Sequence, residues 1–191
     1  MEIIDEKTIK LERELNDLDA FVLDFIKILQ KHAKYVLISG YVALLFGRTR
    51  NTEDVDLFIK ILSRNKFSSL YQDLKESGFW ALNAESEEEL FSLLEDKLSV
   101  RFARVDTSVP NMEIKFVKDL LNQFTLHERI KVITTQGEMY IGDISLQIAY
   151  KRFILKSPKD LEDARHLQKL FSLSEEKIDK YQRILKDHGR F

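Results

Sequence analysis

The stretch at residues 35–60, YVLISGYVALLFGRTRNTEDVDLFIK, places two carboxylates inside the pattern of a buried strand. Asp54 and Asp56 alternate with the apolar residues Val55 and Leu57. Residues two apart in a strand project from the same face, so the two acids are expected to lie side by side. Neighbouring carboxylates repel each other unless a cation lies between them. The pattern therefore predicts a divalent-cation site, with a solvated strand face as the alternative.

The residues before this pair predict an anion site. We expect a short buried strand over residues 35–39 and a short helix over residues 41–46. Ser39 and Gly40 lie at the turn between them, where a hydroxyl and free backbone N–H groups can bind a phosphate. A tight turn that binds no ligand is the alternative.

The loop between the turn and the acids carries further polar candidates. Arg48 and Arg50 can place guanidinium groups on phosphate oxygens. Arg50 and Thr52 are the candidate site residues of this loop. Arg48 is the weaker candidate of the two arginines.

A third acid is needed to complete a two-metal site of the kind that clamps a phosphoryl group. Glu113 is the candidate, because it lies between apolar residues in a strand pattern over residues 112–117 and shares a face with Lys115. Asp106 is the rival, although its neighbours are typical of a loop. Mg²⁺, or Mn²⁺ in its place, is the expected ion, because carboxylates and substrate phosphates suit a hard cation. The four histidines form no close-spaced pair, so no zinc site is predicted.

The remaining chain predicts a mixture of helices and strands. Apolar residues recur at helical spacing from about residue 5 to residue 33, which predicts one long amphipathic helix with a break near Asn16 and Asp17. Further helices are expected over residues 65–76, 86–96 and 118–126, and from 145 to the end with breaks at 157–158 and 172–174. Further strands are expected over residues 54–61, 98–105, 112–117, 129–135 and 139–141.

This order of elements predicts an α+β fold: a mixed sheet flanked by helices, with a helical C-terminal part and a long N-terminal helix. We divide the chain into an N-terminal helix (1–34), a sheet domain (35–143) and a C-terminal helical region (144–191). The first and last helices are expected to form core or homodimer contacts.

Composition excludes several functional classes. Thirty basic residues face 32 acidic ones, so no global basic field attracts nucleic acid. The chain has no cysteine, which excludes disulfides and thiolate metal sites and favours a reducing compartment. The charged N-terminus lacks the apolar core of a signal peptide, and no apolar run has the length of a membrane span. A cytoplasmic protein without membrane contact is expected.

Taken together, these motifs resemble the signature of the nucleotidyltransferase-fold superfamily. That signature is a hydrophobic residue, a Gly–Gly or Gly–Ser pair, a spacer and an Asp–hydrophobic–Asp triplet. Here it corresponds to Ile38-Ser39-Gly40, thirteen residues, and then Asp54-Val55-Asp56. The string from Gly40 to Asp56, with Phe46-Gly47 and Arg50-x-Thr52, is similar to the prokaryotic minimal nucleotidyltransferase and AbiEii-type toxin group. The similarity spans roughly residues 35–170.

The far end of the chain agrees with this resemblance. A helix carrying Lys151 precedes Lys159-Asp160-x-x-Asp163, which is similar to the C-terminal run of the same group. The resemblance implies that Lys151 contacts the triphosphate, whereas a lysine that faces solvent is the alternative. Lys159, Asp160 and Asp163 are expected to cap and pair helices. Two departures stand out: Ser39 replaces the first glycine of the pair, and the third acid is Glu rather than Asp.

The resemblance implies a Mg²⁺-dependent transfer of a nucleotidyl group from an NTP to a hydroxyl, with release of pyrophosphate. The implied partners are the NTP, an acceptor RNA or protein, and an antitoxin in the case of a toxin–antitoxin pair. An inactive module that binds a nucleotide or a partner is the alternative from another class.

Overall fold

The computed structural model describes residues 1–188, and its centre is a mixed sheet of nine strands within that range. The strands are β1 (Glu2–Asp5), β2 (Thr8–Lys10), β3 (Tyr35–Leu37), β4 (Asp54–Ile59), β5 (Phe79–Ala81), β6 (Val100–Arg104), β7 (Asn111–Phe116), β8 (Ile130–Ile133) and β9 (Glu138–Ile141). The helices are α1 (Asp17–Leu29), α2 (Gly40–Leu45), α3 (Arg64–Glu76), α4 (Glu87–Glu95), α5 (Leu120–His127), α6 (Ile144–Tyr150), α7 (Pro158–Leu170) and α8 (Glu175–Asp187).

The strand order is β1-β2-β8-β9-β3-β4-β7-β6-β5. Three neighbouring pairs are parallel, β2 with β8, β3 with β9 and β4 with β7, and the other pairs are antiparallel. Strands β4 and β7 are therefore central strands, each hydrogen-bonded on both sides. The predicted α+β fold with a mixed sheet is confirmed.

Side chains alternate between the two faces of the central strands. Val55 and Met112 lie opposite each other and are fully buried, and Phe102 joins them from β6. An aromatic cluster covers this face: Phe25 of α1 makes an edge-to-face contact with Phe79, with ring centroids 5.0 Å apart. Helices α1, α3 and α4 thus pack on one face and leave Asp54 and Asp56 on the other.

The opposite face meets the second half of the chain. Helix α5 packs on β3 and β4, while α6 packs on α7 and α8. Ile178 and Leu185 of α8 are fully buried within the chain, so the apolar stripe of the last helix belongs to the core. Helix α2 contacts both β4 and α7, and so places the residues after β3 beside the C-terminal helices.

The predicted helix over residues 5–33 is wrong for its first half. Residues 2–10 form the hairpin of β1 and β2, and β2 pairs in parallel with β8. Ile9 and Leu11 are buried at a spacing of two, which is the period of a strand. Helix α1 begins only after Asn16, whose side chain accepts a hydrogen bond from the N–H of Asp19 while the Asp19 side chain accepts one from the Asn16 N–H. This capping box fixes the helix start at the predicted break.

Other boundaries agree to within about two residues, with two additions. The short strand β5 was not predicted. A π-helical turn over Lys151–Leu155 follows α6 and ends at Lys156, whose φ is +58°. It widens the helix where Lys151 turns inward.

Candidate active site

Strands β4 and β7 bring three acids to one face of the sheet. Asp54 lies opposite Asn111, and Asp56 lies opposite Glu113. Opposed residues of neighbouring strands project from the same face, so the three carboxylates are neighbours. The structure thus places Glu113 on the strand next to the aspartate pair, as the sequence predicts.

The Asp54 carboxylate is held by an amide. Asn111 Nδ2 donates a hydrogen bond to Asp54 Oδ1 at 2.8 Å. The other amide atom, Asn111 Oδ1, is buried and has no hydrogen-bond partner among residues 1–188. Thr52 Oγ1 donates to the backbone carbonyl of Asp54 at 2.9 Å, so the Thr52 side chain shapes the entry into β4.

Asp56 lies at the centre of the acidic face. Burial raises the pKa of its carboxyl above the ordinary value; the Lys115 ammonium opposes that shift, and the charges of Glu113 and Asp54 reinforce it. The nearby Ser39 hydroxyl also lowers the pKa of this carboxyl in part. Lys115 Nζ is 3.7 Å from Asp56 Oδ1. The carboxylate is thus short of positive charge.

Both oxygens of Glu113 are engaged by cations. Lys115 Nζ is 2.6 Å from Oε1, and Arg101 Nη2 is 2.8 Å from Oε2. Burial alone would raise the pKa of Glu113, but the hydrogen bonds from Lys115 and Arg101 outweigh it and the pKa is lowered. In this arrangement Glu113 would have to leave one ion pair to bind a metal ion or accept a proton.

Ser39 adopts a backbone conformation that favours glycine. Its φ is +65° and its ψ is −134°, and its side chain makes no capping bond to α2. Its N–H donates to Gln147 Oε1 at 3.0 Å, while Gln147 Nε2 donates to the carbonyl of Gly142. In the sequence resemblance, Ser39 stands at the position where the signature has glycine. Its backbone has the positive φ that glycine adopts most readily.

Gly40 lies in contact with the Arg50 side chain. A Cβ atom added at Gly40 would lie 2.8 Å from Arg50 Nη2. The guanidinium occupies the space that any larger residue at position 40 would need. Two of the residues that the sequence assigns to phosphate binding, Gly40 and Arg50, are thus in contact.

A buried ion cluster anchors Arg50. Asp163 is fully buried, and its Oδ2 accepts from Arg50 Nη1 at 2.6 Å and from Lys151 Nζ at 3.0 Å. Its Oδ1 accepts from Arg48 Nε at 3.1 Å. Sequence analysis assigned Asp163 to helix pairing and missed this role, because its partners lie far away along the chain.

Lys151 is buried in the same cluster. It is 2% exposed, and its Nζ is 3.0 Å from both Asp160 Oδ1 and Asp163 Oδ2. Asp160 also makes the predicted capping contact with Ser157, the N-cap of α7. The solvent-facing alternative for Lys151 is therefore wrong. The predicted triphosphate contact would compete with two carboxylates and stays a prediction.

A cavity of about 260 Å³ opens beside Asp56. Its polar wall contains Ser39, Asp56, Lys115 and Lys151, and its apolar walls come from α5 and α6. The other predicted site residues, Asp54, Glu113, Gly40, Arg50 and Thr52, do not line the cavity. The cavity thus joins one acid of the pair to the Ser39 turn.

Comparison of the whole chain with solved structures gives two informative likenesses. An antigenic nucleotidyltransferase-like protein from Paracoccidioides brasiliensis is 14% identical, with a TM-score of 0.51 over 88% of this chain and 86% of the other. ANT(2'')-Ia, solved in complex with adenylyl-2''-tobramycin, is 13% identical, with a TM-score of 0.55 over 88% of this chain and 96% of the other. The fold is nucleotidyltransferase-like.

The likeness shows the fold alone. No protein-family model matches the chain, and a search of curated proteins finds no significant relative. The AbiEii-type assignment therefore stays a resemblance in sequence. No helix within residues 1–188 has the length and apolarity to cross a bilayer.

Two of the three acids on this nucleotidyltransferase-like fold suit a divalent ion. Asp54 and Asp56 share a face, and the buried Asn111 oxygen without a donor lies beside them. Oxygen ligands of this kind fit Mg²⁺, which uses one or two carboxylates together with substrate phosphates. A complete three-acid site is not assembled: residues 1–188 contain no group of three Asp, Glu or His placed to hold a metal ion.

The side chains that contact the acids were not assigned a role from the sequence. Arg101 and Lys115 contact Glu113, and Asn111 contacts Asp54. Lys115 carried a signal, since it shares a strand face with Glu113. Arg101 and Asn111 carried none, because their positions depend on how β6 and β4 pair with β7.

The Ser39 conformation gives a stability prediction. Residues held in sparsely populated backbone regions cost about 1–3 kcal/mol. We expect Ser39→Gly to raise the free energy of unfolding by about 1 kcal/mol, because relief of strain exceeds the added flexibility of the unfolded chain, about 0.4–1 kcal/mol. Urea denaturation followed by circular dichroism measures it. Ser39→Ala is the matched control: it removes the hydroxyl and keeps the strain, and a Gly variant less stable than it would contradict the prediction.

Proposed function

We propose that the protein is a metal-dependent nucleotidyltransferase, which moves an NMP from an NTP onto a hydroxyl of an RNA or protein acceptor. The observation that carries the proposal is the placement of Asp54 and Asp56 on one sheet face, next to the Ser39–Gly40 turn and its cavity. The nucleotidyltransferase-like fold supports it.

Asp54 and Asp56 are the proposed ligands of Mg²⁺ or Mn²⁺. When bound, the ion would neutralise charge on the triphosphate. Ser39 and Gly40 are the proposed phosphate contacts, with Arg50 held against them by Asp163. Lys151 is a further proposed phosphate contact, because it lines the cavity. It ranks below Arg50 because its ammonium is already paired with Asp160 and Asp163.

The reaction needs positioning more than covalent catalysis. The acceptor hydroxyl gives up its proton to water, and its oxygen bonds to the α-phosphorus as the bond from that phosphorus to the bridging oxygen of the β-phosphate breaks. Pyrophosphate leaves with that electron pair. Aligned groups and fixed charges stabilise such a displacement. Glu113 was predicted from the sequence as a metal ligand or base. Its two ion pairs favour a role in positioning Lys115 and Arg101.

We place the acceptor hydroxyl outside the cavity, which at about 260 Å³ lies below the about 300–1,000 Å³ of clefts that enclose a small ligand. An RNA end or a protein side chain can present a hydroxyl in this way.

Binding of nucleotide tests the proposal. Isothermal titration with each NTP in the presence of Mg²⁺ should give saturable heat for the wild type and none for Asp54→Ala/Asp56→Ala. Asp24→Ala/Asp73→Ala is the control, since it makes the same change in net charge at acids whose side chains are 50% and 42% exposed. Absence of NTP binding by the wild type, or equal binding by the wild type and Asp54→Ala/Asp56→Ala, would contradict the proposal.

A second candidate function is an AbiEii-like toxin, which would carry out the same transfer reaction and would have an antitoxin as its partner. Its motivation is the sequence resemblance around Arg50-x-Thr52-x-Asp54-x-Asp56. Arrest of growth on expression, lost in the Asp54→Ala/Asp56→Ala variant, is the expected result. Unchanged growth would count against this setting and leave the transfer reaction itself in place.

An inactive binding module is favoured by one observation. Lys151 is buried between two aspartates, which leaves one expected triphosphate contact engaged. Incubation with labelled NTPs and a panel of RNAs and proteins separates the two cases. Label transferred to an acceptor supports the enzyme, and nucleotide binding without transfer supports the module.

A further inference from the structure

Lys115 places a fixed positive charge among the three acids of the site. Its Nζ is 2.6 Å from Glu113 Oε1 and 3.7 Å from Asp56 Oδ1, so the ammonium lies between strands β4 and β7. A two-metal site on this sheet face would use the carboxylates of Asp56 and Glu113 as ligands. The lysine thus stands where one of two metal ions would bind.

The charges around the acids point the same way. Three carboxylates, Asp54, Asp56 and Glu113, face two cationic side chains, Lys115 and Arg101, and one negative charge is left over. One divalent ion turns this face positive, which suits a triphosphate. A second ion would have to displace Lys115 and would meet a carboxylate already paired with Arg101.

Lys115 also faces the reaction space. It lines the cavity together with Ser39 and Asp56, and its side chain is 37% exposed. Glu113 accepts one hydrogen bond from the Lys115 ammonium. The other N–H groups of the ammonium remain available to a ligand that enters the cavity. An incoming phosphate oxygen would meet this cation next to Asp56.

We propose that Lys115 is a tethered cation that replaces the second metal ion, so that the site takes a single divalent ion on Asp54 and Asp56. This inference rests on the proposed function, because it assumes that those two acids bind the ion. Glu113 and Arg101 then act as positioning residues for the lysine. The ammonium contacts substrate phosphate directly.

Counting bound Mn²⁺ by electron paramagnetic resonance tests the inference without any turnover. The wild type is expected to bind one Mn²⁺, and Asp54→Ala/Asp56→Ala none. Lys115→Met is expected to bind Mn²⁺ at least about tenfold more tightly, since a like charge next to the ion is gone. The same variant should bind pyrophosphate at least about tenfold more weakly. Tighter Mn²⁺ binding together with weaker pyrophosphate binding indicates that Lys115 contacts the ligands. Loss of a lysine that only supports the fold would weaken both affinities.

Two further variants sharpen the result. Lys115→Arg keeps the charge and should bind Mn²⁺ and pyrophosphate within about threefold of the wild type. Lys131→Met is the matched control, because Lys131 is also a strand lysine paired with a glutamate at 2.6 Å, and it lies outside the cavity. It should leave both affinities unchanged.

The outcomes distinguish this inference from the proposed function. Two Mn²⁺ bound to the wild type, or equal Mn²⁺ affinity in Lys115→Met, would overturn the tethered cation while the metal site on Asp54 and Asp56 stands. Mn²⁺ binding that survives loss of both aspartates would overturn the metal site and the inference with it. The wild-type count needs no variant to fold, so the experiment decides in every case.

Discussion

Replacement of Asp163 by alanine is expected to lower the free energy of unfolding by about 3–5 kcal/mol. The Asp163 carboxylate is fully buried and accepts hydrogen bonds from Arg48, Arg50 and Lys151. Its loss leaves the Lys151 ammonium inside the protein with one partner, Asp160, and removes the main anchor of Arg50. For a chain of this size we expect a fall in Tm of about 6–20 °C, at about 2–4 °C for each kcal/mol.

Glu162 offers a matched control for this prediction. It precedes Asp163 on α7 and also pairs with Arg48, but its side chain is 54% exposed. Exposed pairs contribute about 0–1 kcal/mol, so Glu162→Ala should shift Tm by only a few degrees. Differential scanning calorimetry on both variants measures the contrast. A loss below about 1 kcal/mol in Asp163→Ala would show that the cluster contributes little net stability.

Asp56→Asn is expected to impair the proposed transfer reaction and to stabilise the protein at the same time. The proposed activity should fall at least about 10³-fold, because the charge of a proposed ligand of the metal ion is lost. Stability should rise because burial and the charges of Glu113 and Asp54 raise the pKa of this carboxyl, despite Lys115. A pKa raised in the folded state means that folding disfavours the ionised form. Removal of the charge should therefore raise the free energy of unfolding at neutral pH.

The sign of this effect gives it a pH signature. Below the range in which Asp56 titrates, wild type and variant both carry a neutral side chain, and their stabilities should converge. At neutral pH a relief of about 1 kcal/mol would raise Tm by about 2–4 °C. Thermal denaturation without divalent ions across the acid range measures this difference. Asp24→Asn, at an exposed pair with Arg104, should shift stability by less than about 0.5 kcal/mol and serves as control. A variant less stable than wild type at neutral pH would contradict the argument.

The parts of the site that sequence predicts are those set by local geometry. A period of two places Asp54 and Asp56 on one face whichever strands flank them. The strand, the small residue and the glycine before a helix likewise define the Ser39–Gly40 turn from neighbouring residues alone. The positive φ of Ser39 is a backbone conformation that glycine adopts more readily than other residues.

The parts that sequence does not predict depend on contacts across the chain. Lys151 and Asp163 meet because a π-helical turn and a helix cap fold α7 back on α6. The contact of Arg101 with Glu113 becomes visible only when β7 is paired with β6. Residues 8–10 fit a helical pattern only when they are read together with the apolar residues that follow them. In the structure they form a strand because β8 supplies hydrogen-bond partners for their backbone.

The N-terminal hairpin has a consequence for how the polypeptide matures on the ribosome. Thr8 pairs with Lys131, so the first strands must wait for more than 120 further residues before their neighbour exists. At about 5–20 residues per second, that delay lasts about 6–25 s. Throughout this interval the nascent chain displays Ile9, which is 3% exposed in the folded protein, without its final neighbours. Early chaperone engagement at this end of the chain would follow from the topology alone.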